Sequence, residues 1–117
     1  MRFRARQRLR VNKDFAILRR TGKRHPFPGF LGQATMRESE GEGRRLGLRV
    51  SRKVGNAVVR NRIKRILREL FRLHQNELPA TCDLVIVAHP TLLSMEHKLI
   101  EDHFRKLCEQ IQALAVT

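Results

Sequence analysis

The stretch from Arg45 to Phe71, RLGLRVSRKVGNAVVRNRIKRILRELF, restricts the fold more than any other part of the chain. Its first residues alternate, with Leu46, Leu48 and Val50 set against Gly47, Arg49 and Ser51. That period of two is the pattern of a strand over 45–52 with one buried and one polar face. Gly55 and Asn56 then turn the chain into a helix predicted over 57–74. There Val59, Ile63, Ile66, Leu67, Leu70 and Phe71 recur at helical spacing. Leu78-Pro79 ends the connection. The run Asp83 to Ala88 that follows, DLVIVA, is nearly all apolar and β-branched, so it reads as a strand buried on both faces, central or parallel in its sheet. Strand, helix and buried strand in this order form a βαβ crossover, which commits the chain to a sheet with helices packed against it.

The remaining segments fit around that unit. Arg2, Arg4, Arg6, Arg8 and Arg10 stand at every second position. In an extended arm they would share one side, at a spacing suited to tracking phosphates; a solvated tail is the other reading. Asn12 as N-cap, Asp14 in the first turn, Arg19 and Arg20 in the last and Gly22 beyond them predict a helix over 13–21. His25-Pro26-Phe27-Pro28-Gly29 reads as a break. Phe30 to Met36 reads as a strand, with Gly32 and Ala34 on one face and Leu31, Gln33 and Thr35 on the other. Residues 38–43, ESEGEG, read as a hairpin loop leading to strand 45–52. His89-Pro90 terminates the apolar strand. Ser94 is the expected cap of a last helix over about 95–114, whose core face is Ile100, Phe104, Leu107, Cys108, Ile111 and Leu114. The expected fold is α+β, a two-layer α/β sandwich in the order α-β-β(-β)-α-β-α. A chain of 117 residues suits one domain, here 1–117 with a basic arm over 1–11.

Charge narrows the partner. The formal net charge is +14, and self-repulsion of that size is relieved by a polyanion. Residues 1–65 carry 20 Lys and Arg against 4 Asp and Glu, whereas residues 66–117 carry 5 against 7. The footprint of a nucleic acid therefore belongs to the N-terminal and central part. No apolar run approaches the length of a membrane span. MRFRARQRLRV lacks the apolar stretch of a secretory signal; it shares the Arg-rich composition of a mitochondrial presequence but is short and leads directly into a helix signal, so a cytoplasmic protein is the default expectation. Cys82 and Cys108 form no CxxC and read as buried free thiols.

On a helical wheel the apolar stripe of 57–74 takes one side. Asn61, Arg62, Lys64, Arg65, Arg68 and Arg72 fill the other, with Arg60 at the border. The guanidinium forks suit bidentate phosphate contacts, and Asn61 offers both a donor and an acceptor among them. A merely solvated helix face normally mixes signs, and this one does not. Lys53-Val54-Gly55-Asn56-Ala57 brings little bulk to the helix N-terminus, where backbone N–H groups attract anions. Spacing alone leaves an ordinary glycine turn equally open.

The run RLGLRVSRKVGNAVVRNRIKRILRELF closely resembles the protein subunit of bacterial ribonuclease P. Arg60-Asn61-Arg62 within VRNRIKR and the preceding KVGNAV carry the likeness. RLRVNKDF, the apolar strand and the final helix extend it in pattern over most of the chain. The resemblance implies a small mixed sheet with a left-handed βαβ crossover, against the usual right-handed rule. It implies a ribonucleoprotein in which a large RNA, with Mg²⁺ bound mainly by that RNA, hydrolyses precursor tRNA to free the mature 5′ end. The protein would be its non-catalytic subunit, with no covalently bound cofactor. By the same resemblance Arg52, Lys53, Asn56, Arg60, Asn61, Arg62, Lys64, Arg65 and Arg68 would contact the catalytic RNA. Phe15, Arg19, Leu31 and Gln33 would lie in a separate cleft for the single-stranded 5′ leader of precursor tRNA, with Phe15 packing on a nucleotide. Arg19 stands where the family often has an aromatic residue and Gln33 where a larger aromatic can occur, so leader contacts here are expected to be more electrostatic.

No protein nuclease site accompanies these features. His25, His74, His89, His97 and His103 show no HExxH or zinc-finger spacing, and His97 and His103 read as solvated. Glu101 and Asp102 diverge on a helix. A ribosomal or general structured-RNA-binding protein is the alternative from a different class. A DNA-binding regulator lacks a second recognition helix at turn spacing, so no DNA partner is expected.

Overall fold

The structure is a computed structural model that describes residues 23–36 and 43–115. The helix predicted over 13–21, the arm over 1–11 and the side chains of Phe15 and Arg19 lie outside the described residues. The described residues form six regular elements: β1 (Lys23–Phe27), β2 (Phe30–Met36), β3 (Arg45–Arg49), α1 (Ala57–His74), β4 (Cys82–Ala88) and α2 (His97–Ala115). Short 3₁₀ turns at Gln75–Glu77 and Pro90–Ser94 flank β4.

The four strands form one mixed sheet in the order β1-β2-β4-β3. β4 runs antiparallel to β2, from Phe30 opposite Ala88 to Met36 opposite Cys82. It runs parallel to β3, from Arg45 opposite Asp83 to Arg49 opposite Val87. Its central place follows from composition. Six of its seven residues are buried, which suits a strand paired on both of its edges. β3, α1 and β4 are the expected βαβ unit.

Two sequence expectations change here. The stretch 25–29 was expected to break the chain, yet residues 23–27 pair antiparallel with β2. Pro26 is tolerated because β1 is an edge strand and needs hydrogen bonds on one side only. The tight turn is Pro28-Gly29, with Phe27 opposite Phe30. Gly29 takes φ +91°, and a Cβ there would meet Met95 Sδ at 2.7 Å. A proline followed by a glycine of positive φ is the order a type II turn requires. Second, β2 and β3 are not a hairpin, because β4 lies between them. A strand this apolar displaces the half-polar β3 to the edge.

One contiguous core lies between the sheet and the helices. Phe30 from β2, Leu46 from β3, and Leu84 and Ile86 from β4 meet Ile63, Leu67, Leu70 and Phe71 of α1. Ile100, Phe104, Leu107, Cys108 and Ile111 of α2 complete it. The expected core faces of both helices hold, with one exception at the end of α2, where Leu114 is 42% exposed. Ser94 does not cap α2, because the helix begins at His97. The Ser94 hydroxyl instead donates to Thr91 O within the preceding 3₁₀ turn, 2.8 Å away. Both cysteines are buried free thiols. Burial first, with Glu77 and Cys82 adding to it, pushes the Cys108 thiol up to about 12.

Candidate nucleic-acid interface

The approach to α1 is set by close packing. Val54 is buried, and its N–H donates to Ser51 O at 3.1 Å, closing the turn after β3. A Cβ on Gly55 would come within 2.7 Å of Val59 Cγ1, so only glycine lets the chain pass this close to the first turn of the helix. Asn56 is the N-cap. Its Oδ1 accepts from Val59 N–H at 3.0 Å and satisfies one of the free amides of the helix end.

α1 then divides as the wheel requires. Ile63, Leu67, Leu70 and Phe71 are buried, with Val59 and Ile66 packed partly against them. On the far side Asn61, Arg62 and Arg65 are exposed, and Lys64 and Arg68 are half-buried. Arg60 sits at the border, its Nε enclosed and without a hydrogen-bond partner among the described residues. Asn61, Arg65 and Arg68 line a shallow groove together with Glu69, one side of the helix at i, i+4, i+7 and i+8. Glu69 is the only carboxylate of α1. It does not neutralise the groove, because Arg72 grips it from the next turn, Nε to Oε2 at 3.0 Å with Nη2 on Oε1. Those hydrogen bonds hold the Glu69 carboxyl below its ordinary pKa. Arg52 and Lys53, exposed in the turn before the helix, extend the cationic surface toward β3.

Other arginines nearby have structural work. Arg44 donates from Nε and Nη2 to Leu78 O at 3.0 and 2.9 Å, tying the start of β3 to the end of the connection from α1. Arg45 makes a bidentate pair with Asp83, its register partner on β4, at 2.8 and 2.6 Å. Asp83 thereby stands inside an otherwise apolar strand with its charge answered.

The sheet face turned away from α1 and α2 is the second candidate surface. Register places its side chains in rows across the strands. One row is Pro26, Leu31, Val87 and Arg49; the next is Arg24, Gln33, Val85 and Gly47. Leu31 is half-buried, while Gln33 is only 6% exposed. These two expected leader positions therefore share a face and differ in access. Sequence reasoning overlooked Val87, assigned to a fully buried strand but half-buried here at the end of β4. It also overlooked Val58, 71% exposed in the first turn of α1. The available signal was its phase, four and seven residues before Arg62 and Arg65.

Three of the five histidines, His25, His74 and His103, settle into the scaffold. His25 is buried on β1, its Nδ1 2.8 Å from Gln110 Oε1. His74, at the end of α1, lies between Glu77 and Glu101, each of its ring nitrogens 2.7 Å from a carboxylate oxygen. His103, expected to be solvated, packs its ring on Phe27 and encloses Nδ1, because it falls on the side of α2 that faces β1; His97 is exposed. Among the described residues no group of three or more His, Cys, Asp and Glu converges as a metal site, and no helix is long and apolar enough to cross a membrane.

A four-stranded mixed sheet backed by two helices, one of them cationic along its outer face, defines a small basic α+β protein. The sequence model of Ribonuclease P matches residues 3–112. The "Ribonuclease P protein component" of Desulforapulum autotrophicum is 38% identical over 105 residues, 90% of this chain and 88% of that protein. The protein of the same name from Desulfovibrio desulfuricans is 47% identical over 81 residues, 69% of this chain but only 62% of the relative's length. The solved RNase P protein of Staphylococcus aureus superimposes with a TM-score of 0.76 at 29% identity, covering 93% of this chain and 94% of that one. The chain belongs to the ribonuclease P protein component family, whose members are subunits of a tRNA-processing ribonucleoprotein.

Proposed function

We propose that this chain is the RNA-binding, non-catalytic subunit of a ribonuclease P that removes the 5′ leader of precursor tRNA. The observation that carries this reading is the outer face of α1. Arg62 and Arg65 are exposed beside Asn61, and the helix's one carboxylate is held by Arg72. Arg52, Lys53, Arg60, Lys64 and Arg68 widen that face, and it is assigned to the catalytic RNA. Asn56 serves it indirectly, by fixing the start of the helix. Guanidinium groups on a rigid helix neutralise phosphates without ordering a loop, and Asn61 can engage a base edge or a ribose hydroxyl between them.

The catalytic RNA, with Mg²⁺ held mainly by that RNA, carries the hydrolysis. The protein lowers the repulsion between two polyanions and holds the leader on the opposite face of the sheet, at Leu31 and Gln33. Phe15 and Arg19 are proposed as further leader contacts on the family resemblance alone.

The test is reconstitution. The purified chain should cleave no precursor tRNA by itself. With the catalytic RNA from the same organism it should restore cleavage at Mg²⁺ concentrations where that RNA alone is slow. Failure across salt and Mg²⁺ conditions would remove the reading.

A further inference from the structure

The cationic helix and the sheet face point in different directions, and one residue joins them. Arg49 is the last residue of β3, on the edge of the sheet. Strand alternation sends Leu46 and Leu48 into the core side and Arg49 to the other face. Its register partner on β4 is Val87, which in turn stands opposite Leu31 on β2, and Leu31 opposite Pro26 on β1. Pro26 and Arg49 are exposed at the two ends of this row, and Leu31 and Val87 are half-buried between them. The next row is closed at its centre, where Gln33 and Val85 are 6% and 3% exposed. The accessible part of the floor is therefore one apolar strip. It crosses three strand spacings, about 14 Å at ~4.8 Å each.

Among the described residues no anion or carbonyl is bonded to the Arg49 side chain, unlike those of its neighbours. Arg45 is spent on Asp83. Arg44, just before the strand, is spent on Leu78 O. Arg49 stands exposed at the end of an apolar track, three residues from Arg52.

We propose that Arg49 is a leader-positioning residue: it holds a phosphate of the single-stranded 5′ extension of precursor tRNA as that strand leaves the Leu31–Val87 strip. This rests on the reading that the leader lies on this sheet face. The chemistry fits a single strand rather than a duplex. The strip is narrow and apolar, suited to the faces or edges of unpaired bases, with the charge confined to its end. A duplex would present phosphates along its length and find no second cation in the row.

The test uses the holoenzyme assembled from the full chain and its own catalytic RNA. Affinity is measured for precursor tRNA with a leader and for mature tRNA without one. Arg49→Ala should weaken precursor binding roughly fivefold at low salt, leave mature tRNA unchanged and lower the salt slope for precursor by about one. Arg49→Lys should recover most of the loss, and Lys98→Ala, on the outer face of α2, should change neither affinity. Thermal unfolding of Arg49→Ala, expected to match the parent because the residue is exposed, guards against a folding defect. A parent holoenzyme that prefers precursor, with an Arg49→Ala variant that prefers it equally, overturns the role of Arg49 alone. The same follows if the variant loses affinity for the catalytic RNA instead. A parent holoenzyme indifferent to the leader overturns the underlying reading and the role of Arg49 with it.

Discussion

α1 and α2 are nearly the same length, 18 and 19 residues, and pack on the same side of the same sheet. Each buries a stripe of large apolar residues in one shared core. Their outer faces differ. α2 mixes signs along its exposed side, with Lys98, Asp102, Arg105, Lys106 and Glu109. α1 presents Arg62, Lys64, Arg65 and Arg68 around Asn61 and holds its only carboxylate in a pair with Arg72. Packing therefore cannot account for the difference, since both helices solve the same packing problem. Like charges on neighbouring turns cost helix stability, by a few tenths of a kcal/mol for each pair. α1 accepts that cost and α2 avoids it, a difference that the proposed RNA contact of α1 would explain.

The largest expected effect comes from removing that difference. Arg62→Ala with Arg65→Ala should weaken binding of the catalytic RNA and reduce its salt slope by about two, one for each lost phosphate contact. Lys98→Ala with Lys106→Ala removes the same charge from α2 and should leave the slope unchanged. Binding titrations at several salt concentrations make the comparison. Equal losses from the two pairs would mean that net charge, rather than the face of α1, governs assembly.

A smaller effect separates building the face from being the face. Asn56 lies next to the cations but spends its side-chain oxygen on Val59 N–H. Asn56→Ala should cost about 1 kcal/mol of stability, read from urea unfolding. Asn56→Ser, which can still cap, should recover most of it and most of any lost RNA affinity. If Asn56→Ser restores stability but not RNA affinity, the Asn56 side chain touches RNA directly.

The same contrast explains which parts of the molecule were legible in the sequence. The bounds of α1 and β2 came out as expected, because each has a strong period and a clear start: Gly55-Asn56 for one, Gly29 for the other. β4 was legible as central from its unbroken apolar run. What failed were relations between segments. Pro26 and Pro28 argue locally against a strand, and only the edge position of β1 makes Pro26 harmless. Nothing local tells β3 that β4, more than thirty residues later, will separate it from β2. At the site, the helix face was legible because charge and phase lie within one element. The open strip on the sheet was not, because it draws Pro26, Leu31, Val87 and Arg49 from four strands. Arg45 and Arg49 look alike in sequence, and only the register with Asp83 and Val87 makes one a structural partner and the other an open cation.

The smallest expected effect lies where the two helices meet away from the cationic face. His74 ends α1 and accepts company from both sides, Glu77 through Nδ1 and Glu101 of α2 through Nε2, each at 2.7 Å. The hydrogen bond from His74 holds the Glu101 carboxyl below its ordinary pKa, with the charges of His74, His97 and Arg105 adding to it. A carboxylate depressed in the folded state contributes stability above its unfolded pKa, and that contribution fades as pH falls through the folded value. Glu101→Gln should therefore be slightly less stable than the parent at neutral pH. The gap should narrow as pH is lowered through the carboxylate range and vanish below it, where Glu101 is protonated in both states. Because Glu101 is partly open to solvent, the gap should also shrink in high salt. RNA affinity at neutral pH should not change, since this junction carries none of the cations of α1's outer face. A gap that persists unchanged into acid would mean that Glu101 holds α2 to α1 by shape rather than by charge.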